Sequence, residues 1–373
     1  MKIAISGYKG FIGKHLVNTL IHINNFEKGD IHFIEKKDFN NSSELKKKLS
    51  DCEIIIHLAG VNRHENSTYL HDENIRLTEV LITNISKSTK CVMFSSSIQQ
   101  DLKNPFGVSK LKCCQLFKNW AKSNKRIFIN LKIPNVFGPY GKPNYNSFVS
   151  TFCHKIVNCK KIKEINNNDV NLIYINDLVY EIIDCIYNSV DKPSEVSKFH
   201  NIISINVTAV HEILKNQWNS YNKKNTIPEF SSEFEKNLFN TLRSFILLDK
   251  YYPKKLLKHN DERGFFSEVL RSEGRGQFSI SKTNKGITRG NHFHTRKIER
   301  FIVIKGKALV KLRKIDSDKV FSFKLNGSNL NYIDIPVWYA HNISNIGDKN
   351  LLTLFWINEP YDPKDTDTFT NIV

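Results

Sequence analysis

Ile3-Ala4-Ile5-Ser6-Gly7-Tyr8-Lys9-Gly10-Phe11-Ile12-Gly13 is a short apolar run that enters a glycine-spaced turn and continues into a helical pattern through Leu16 and Leu20. Strand, turn and helix in that order suit a dinucleotide. Gly7 permits the tight turn, Gly10 lets backbone N–H groups approach a pyrophosphate, and Gly13 allows close helix–strand packing, with the phosphates on the helix N-terminus. Further strands are expected at Ile31-His32-Phe33-Ile34, at Ile54-Ile55-Ile56-His57-Leu58, and at Cys91-Val92-Met93-Phe94, which ends in Ser95-Ser96-Ser97. Strands alternating with helical stretches predict a parallel, doubly wound sheet. The serines stand at the strand end where such sheets bind ligands. After the second strand, Glu35-Lys36-Lys37 offers an acid for a ribose hydroxyl and bases for a 2′-phosphate, so it admits both cofactor types.

The chain has 373 residues, which suits two domains, and its 40% hydrophobic content is enough for packed cores. No apolar run approaches the roughly 18 residues of a membrane span. The N-terminus lacks a signal-peptide pattern, so a cytoplasmic protein with no membrane partner is expected. The seven cysteines include the adjacent Cys113-Cys114 and no CxxC pair, which reads as reduced thiols. The net charge of +18 is spread over lysines without an arginine-rich stripe. Nucleic acid is therefore not expected, whereas an anionic small ligand fits.

The glycine turn, His57-Leu58-Ala59-Gly60, the triple serine, Leu131-Lys132-Ile133-Pro134-Asn135-Val136-Phe137-Gly138-Pro139 and Tyr174-Ile175-Asn176-Asp177-Leu178 occur in an order that resembles the extended short-chain dehydrogenase/reductase family. The resemblance implies a Rossmann-like fold, an NAD(P) cofactor and a nucleotide-sugar substrate. It implies cofactor contacts from Gly7, Lys9, Gly10, Phe11, Ile12, Gly13, Leu58, Ala59, Gly60 and Lys110. It further implies that Ser97 polarises a carbonyl and that Asn135 lies near the substrate. One position departs from the family. In Asn104-Pro105-Phe106-Gly107-Val108-Ser109-Lys110, the lysine of the Tyr-x-x-x-Lys motif is present and Phe106 stands in place of the tyrosine. Four residues apart on a helix puts Phe106 and Lys110 on one face. Phenylalanine has no transferable proton, and losing a general acid costs on the order of 10²- to 10⁴-fold. Three readings stay open: a variant that traps substrate, a natural form that uses water or Ser97, and a reductase half that only binds.

Phe199-His200-Asn201-Ile202-Ile203 reads as a strand and Asn206-Val207-Thr208 as a capped helix start, within a small substrate lobe by resemblance. The domains are placed at residues 1–245 and 246–373. From about Tyr251 short β-prone runs alternate with turns, which predicts an all-β sandwich or barrel. Within them Gly286, His292-Phe293-His294, Glu299, Gly306, Pro336, His341 and Asn345 resemble the two motifs of the cupin family, with Trp338 in place of a glycine. The C-terminal domain is therefore expected to be a cupin jelly roll. His292 and His294, two apart on a strand, point to one face. Glu299 and His341 are expected from neighbouring strands, completing an N₃O set for one divalent metal, with zinc favoured over iron, nickel or manganese.

Asp261-Glu262-Arg263-Gly264-Phe265-Phe266-Ser267-Glu268 and Gly286-Ile287-Thr288-Arg289-Gly290-Asn291-His292 also resemble the sugar 3,5-epimerases. That resemblance implies substrate contacts from Arg263, Glu268 and Arg289. It makes His292 the proton-abstracting base, a role incompatible with metal ligation; Tyr339 and His294 are alternative bases by residue type. Reductase followed by cupin resembles the CapF/WbjC-type bifunctional enzymes of capsule and O-antigen synthesis over essentially the whole chain. The resemblance implies C3 epimerisation of a UDP-2-acetamido-2,6-dideoxy-hexos-4-ulose in the cupin. The reductase would then reduce C4 with NADPH, NADH not being excluded, to the L-talose product on the way to UDP-N-acetyl-L-fucosamine. The partners implied are that UDP-linked 4-keto-6-deoxy amino sugar and a second copy in a homodimer. Two alternatives stand beside this reading: an epimerase with a reductase half disabled at Phe106, and a non-enzymatic nucleotide-binding oligomerisation module.

Overall fold

Five short hydrophobic strands build the N-terminal sheet: β1 Ile3–Ser6, β2 Ile31–Ile34, β3 Ile54–His57, β4 Cys91–Ser97 and β5 Ile127–Ile133. The computed structural model describes residues 1–373 except 164, 189–195, 198, 224–225, 256–258, 262–263, 267–270, 273–275 and 360–363. The strand order is β2-β1-β3-β4-β5, with the short Val196–Ser197 strand beside β5. Every pair is parallel. β1 and β3 are buried along their whole length. Their unbroken apolar runs are what a sheet covered by helices on both faces requires. One side of that core gathers Ala4, Ile55, Val92 and Phe94 from the sheet with Leu77, Leu81 and Phe117 from helices. The order reverses at β1, which opens a crevice beyond the carboxyl ends of β1 and β3.

Two helices matter for the site. Phe11–His22 follows the glycine turn, and no side chain caps its N-terminus. Pro105–Asn124 starts with proline in its first turn, has the Asn104 side chain accepting from the Gly107 N–H at 2.7 Å, and ends at Lys125 in the left-handed conformation. Further along, the strand expected from Phe199 forms at Ile203–Asn206, and the helix expected to follow runs over Val207–Trp218. Ile203–Asn206 pairs antiparallel with Asp169–Tyr174, and that long-range pairing, not local propensity, sets where the strand begins.

Ten of the C-terminal strands form two five-stranded sheets, within which every pair is antiparallel. One runs Lys254–Lys255, Asn331–Ile335, Glu299–Lys305, Leu351–Ile357, Gln277–Thr283. The other runs Val320–Asn326, Lys307–Lys314, Tyr339–Asn345, Thr288–Phe293, Phe369–Thr370. In Lys307–Lys314 the buried residues are Ala308, Val310 and Leu312, the period-two pattern of a strand with one face in a core.

Tertiary contacts divide the chain into Met1–Thr151 with Asn166–Val207, and Phe152–Ile165 with Thr208–Val373. This differs from a boundary near residue 245, because residues 208–245 belong with the β-strands. A buried network shows why. The Tyr221 hydroxyl donates to the Asp334 carboxylate, and the Tyr252 hydroxyl lies 2.5 Å from that of Tyr221. Arg300 grips Asp334 in a bidentate pair at 2.6 and 2.9 Å, with both side chains fully buried. A change in local sequence pattern marks where the strands begin, but long-range polar contacts set where the unit begins.

Candidate functional site

The first unit holds a cavity of ≈ 1060 Å³ at the crevice of the parallel sheet. Gly7, Lys9, Gly10, Phe11, Ile12, Gly13, Leu58, Ala59, Gly60, Ser97, Phe106, Lys110 and Asn135 all line it. Two glycines are sterically enforced. Gly7 has φ 72°, and a Cβ there would lie 2.6 Å from the Ala59 nitrogen; a Cβ on Gly13 would lie 2.3 Å from the Gly7 carbonyl oxygen. The turn therefore sits tight against both the helix start and the loop after β3. The uncapped N-terminus of the Phe11–His22 helix makes this wall of the cavity suited to phosphates.

Two polar supports hold the loop after β3. Asn74 accepts from the Val61 N–H at 2.7 Å and donates to the Val61 carbonyl at 3.0 Å. The Ser6 hydroxyl accepts from the Ala59 N–H at 3.2 Å and pairs with His57 Nδ1 at 2.7 Å. Burial, with Lys110 nearby, pushes His57 down to about 3, so the imidazole stays neutral. Sequence reasoning assigned no role to Ser6 or Asn74. The signal for Asn74 is its buried place on the Leu70, Leu77 and Leu81 side of the Ser67–Asn84 helix. Glu35 also lines the cavity. It accepts from Lys9 Nζ at 2.8 Å and Tyr8 Oη at 2.9 Å, and Lys37 Nζ lies 3.1 Å away. Those contacts, Lys9 foremost, hold its carboxyl at about 2. Acid and bases thus meet at the ribose-selecting position as one cluster.

Phe106 and Lys110 share a helix face as the spacing predicts: Lys110 Nζ lies 5.6 Å from the Phe106 ring centroid. Lys110 is buried and donates to the Ser95 carbonyl at 2.7 Å. Burial pushes it down to about 8. Ser97 Oγ accepts from the Gln99 N–H at 3.2 Å, and its hydroxyl proton is uncommitted among the described residues. Asn135 is exposed, with Nδ2 donating to the Asn171 carbonyl at 3.4 Å. Tyr140 and Tyr145, which sequence alone does not place, both line the cavity.

The second unit holds a compact set of side chains. His292, His294, Glu299 and His341 each present one donor atom, all within 4.8 Å of one another. His294 and His341 Nε2 lie 3.4 and 2.9 Å from the same Glu299 oxygen. Yet neither makes an aligned hydrogen bond to it, and all three atoms are buried without a hydrogen-bond partner. Three acceptor atoms so close together repel one another unless a cation lies between them. Ligands at about 2.0–2.1 Å in a tetrahedron stand roughly 3.3–3.5 Å apart, close to this spacing, so the residues fit a divalent metal. His294 Nδ1 faces the Asp367 carbonyl and His341 Nδ1 the Tyr339 carbonyl at 3.2 Å. Each carbonyl must accept, which leaves Nε2 as the free donor atom. Burial and the neighbouring histidines push His292 down to about 4, which keeps its imidazole neutral.

One placement corrects the expected arrangement. His341 comes from the strand beside His292, whereas Glu299 comes from the other sheet, because its strand pairs with Asn331–Ile335 and Leu351–Ile357. The set is assembled across the interior, not along one sheet. In addition, the register slips between Gly290 and His292, with Asn291 at φ 60°. This bulge puts Arg289, paired with Ile343, on the same face as His292, paired with His341. Arg289 Nε donates to Thr283 Oγ1 at 3.1 Å. Tyr339 is half-buried, and the desolvation of its phenol pushes it up to about 12. Arg263 and Glu268 lie outside the described residues.

The profile of the NAD dependent epimerase/dehydratase family matches residues 3–198, and that of the polysaccharide biosynthesis C-terminal domain matches residues 259–369. The chain is similar to a UDP-2-acetamido-2,6-beta-L-arabino-hexul-4-ose reductase of Pseudomonas aeruginosa, 29% identical over 380 residues, covering 99% of this chain and 98% of the relative. It is similar to the capsular polysaccharide assembling protein CapF of Staphylococcus aureus, with 33% identity, full coverage of both chains and a TM-score of 0.61. Over 131 residues, 32% of this chain and 87% of the relative, it is 28% identical to the spore coat polysaccharide biosynthesis protein SpsL of Bacillus subtilis. The chain is thus related to nucleotide-sugar reductases and epimerases of capsule and polysaccharide biosynthesis.

Proposed function

Because the chain belongs to the NAD dependent epimerase/dehydratase family, in its two-domain CapF-type form, we propose that it is a bifunctional nucleotide-sugar enzyme. It epimerises C3 of UDP-2-acetamido-2,6-dideoxy-hexos-4-ulose in a C-terminal cupin and reduces C4 in the N-terminal unit. The observation that carries this reading is that one chain holds both constellations. Ser97, Lys110 and Asn135 lie around the glycine turn, and His292, His294, Glu299 and His341 form a four-donor set.

The chemistry follows from the ketone. A 4-keto group acidifies the C3 proton, so a base can remove it and a proton can return on the other face. With His292 in the donor set, that base is a group other than a coordinated imidazole. A divalent metal, zinc by the donor types, supplies a Lewis acid when bound. Arg289, brought to the His292 face, suits the nucleotide phosphates. In the N-terminal unit NADPH supplies the hydride when bound. The glycine turn orients its phosphates, Lys110 holds a positive charge beside the reacting carbonyl, and the Ser97 hydroxyl donates to the developing oxyanion. With phenylalanine at 106, the proton for that oxygen comes from Ser97 or water, and reduction is slow.

Phe106 specifically favours a second reading, an epimerase whose N-terminal unit only binds. One assay separates the two: the 4-keto sugar and NADPH incubated in deuterated water, followed by mass and absorbance. Deuterium at C3 together with NADPH oxidation is expected. Deuterium without oxidation supports the epimerase-only reading, and neither signal overturns both.

A further inference from the structure

After the Leu351–Ile357 strand of the first sheet, the chain returns to the four-donor set at Asp367. This residue is buried and lies 72 residues from Thr295 in sequence. Its carbonyl accepts from His294 Nδ1. Its Oδ1 accepts from the Thr295 N–H at 3.1 Å and the Thr295 hydroxyl at 2.6 Å. Its Oδ2 accepts from the Arg296 and Lys297 N–H groups, both at 3.0 Å. Three consecutive backbone N–H groups thus converge on one buried carboxylate, an anion nest made by the protein for its own side chain. Asp367 sits at φ 41°, a left-handed conformation that short polar residues tolerate. Two residues on, Phe369–Thr370 pairs with His292 and Phe293.

The loop so gripped, residues 295–297, joins His294 to the strand that begins at Glu299. One donor precedes the loop and one follows it, and they reach the set from different sheets. Without a fixed loop their separation would be free to vary. The Asp367 carbonyl also selects the tautomer of His294 that leaves Nε2 free. A third donor, His292, is braced through the adjoining strand pair. We infer that Asp367 is a positioning residue of the metal site, fixing the orientation of His294 through its carbonyl and the His294-to-Glu299 distance through its carboxylate. This rests on the metal reading proposed above.

The test uses the full chain loaded with zinc or cobalt(II). Asp367→Asn keeps the carbonyl but turns an amide N–H₂ toward N–H groups that need an acceptor. Partners behind metal ligands typically contribute about 10- to 100-fold in affinity. Zinc affinity by chelator competition is therefore expected to fall by about that factor, with changed ligand-field bands in the cobalt form. A role in folding alone would leave those bands as they are. If Asp367→Asn does not fold, Thr295→Val, which removes one of the four donors, is expected to show the same spectral change to a smaller degree. An unaltered chain that binds zinc and cobalt while the folded variants match its affinity and spectrum overturns the inference alone. An unaltered chain that binds neither ion overturns the metal reading, and the inference with it.

Discussion

Restoring the missing phenol by Phe106→Tyr tests how far one atom limits reduction. The ring at position 106 is half-buried, lines the cavity and has Lys110 Nζ 5.6 Å from its centroid. A unit positive charge at that distance favours a phenolate by about 3 kcal/mol at an effective dielectric of about 20. That is roughly two pKa units, which brings a phenol from about 10 to about 8, near the value at which Lys110 itself titrates. An acid so tuned both gives up its proton readily and is largely protonated at neutral pH. The expected result is a rise in kcat for NADPH oxidation with the 4-keto sugar of about 10²- to 10⁴-fold. KM for the sugar should change little, because the proton moves only in the transition state. The pH–rate profile should gain a limb near pH 8. Steady-state oxidation followed by absorbance, with cofactor binding measured alongside, reads all three. A folded, cofactor-binding variant whose kcat stays within threefold of the parent would refute the reasoning: residue 106 would then not be the limiting group.

Lys110 should make stability depend on pH. Its folded pKa of about 8 lies below the ordinary 10.5, so between those values the unfolded chain binds more protons and stability rises with pH. Below pH 8 the buried charge costs about 3 kcal/mol. Lys110→Met should accordingly be the more stable protein at pH 7, and its advantage in urea midpoint should vanish by about pH 10.5. Gly13→Ala pushes a methyl to 2.3 Å from the Gly7 carbonyl oxygen and should cost about 1–3 kcal/mol together with loss of cofactor affinity, read by thermal unfolding and titration. Asp334→Asn leaves Arg300 buried without its counter-ion and should destabilise the second unit by about 3–5 kcal/mol in chemical denaturation. No loss there would mean that the network does not fasten residues 208–245 to the β-strands.

Much of the fold was legible in the sequence because its signals are local. The glycine turn at 7–13 is a steric requirement within a few residues, and β1, β3 and β4 announce themselves as apolar runs of strand length. His292 and His294 share a face through the period of an extended chain, and Phe106 and Lys110 through the turn of a helix. The four-donor set was visible as residue types at a spacing. Tertiary structure alone decided how they meet. Glu299 arrives from the opposing sheet, and a single bulge at Asn291 turns Arg289 to the His292 face, where unbroken alternation would turn it away. Residues 208–245 join the β-unit through Tyr221 and Asp334, separated by 113 positions. Asp367 braces a loop that ends 70 positions earlier. Such contacts leave no periodic trace, because register and sheet-to-sheet pairing arise from the packing of distant segments, whereas a residue pattern reports only its neighbours along the chain.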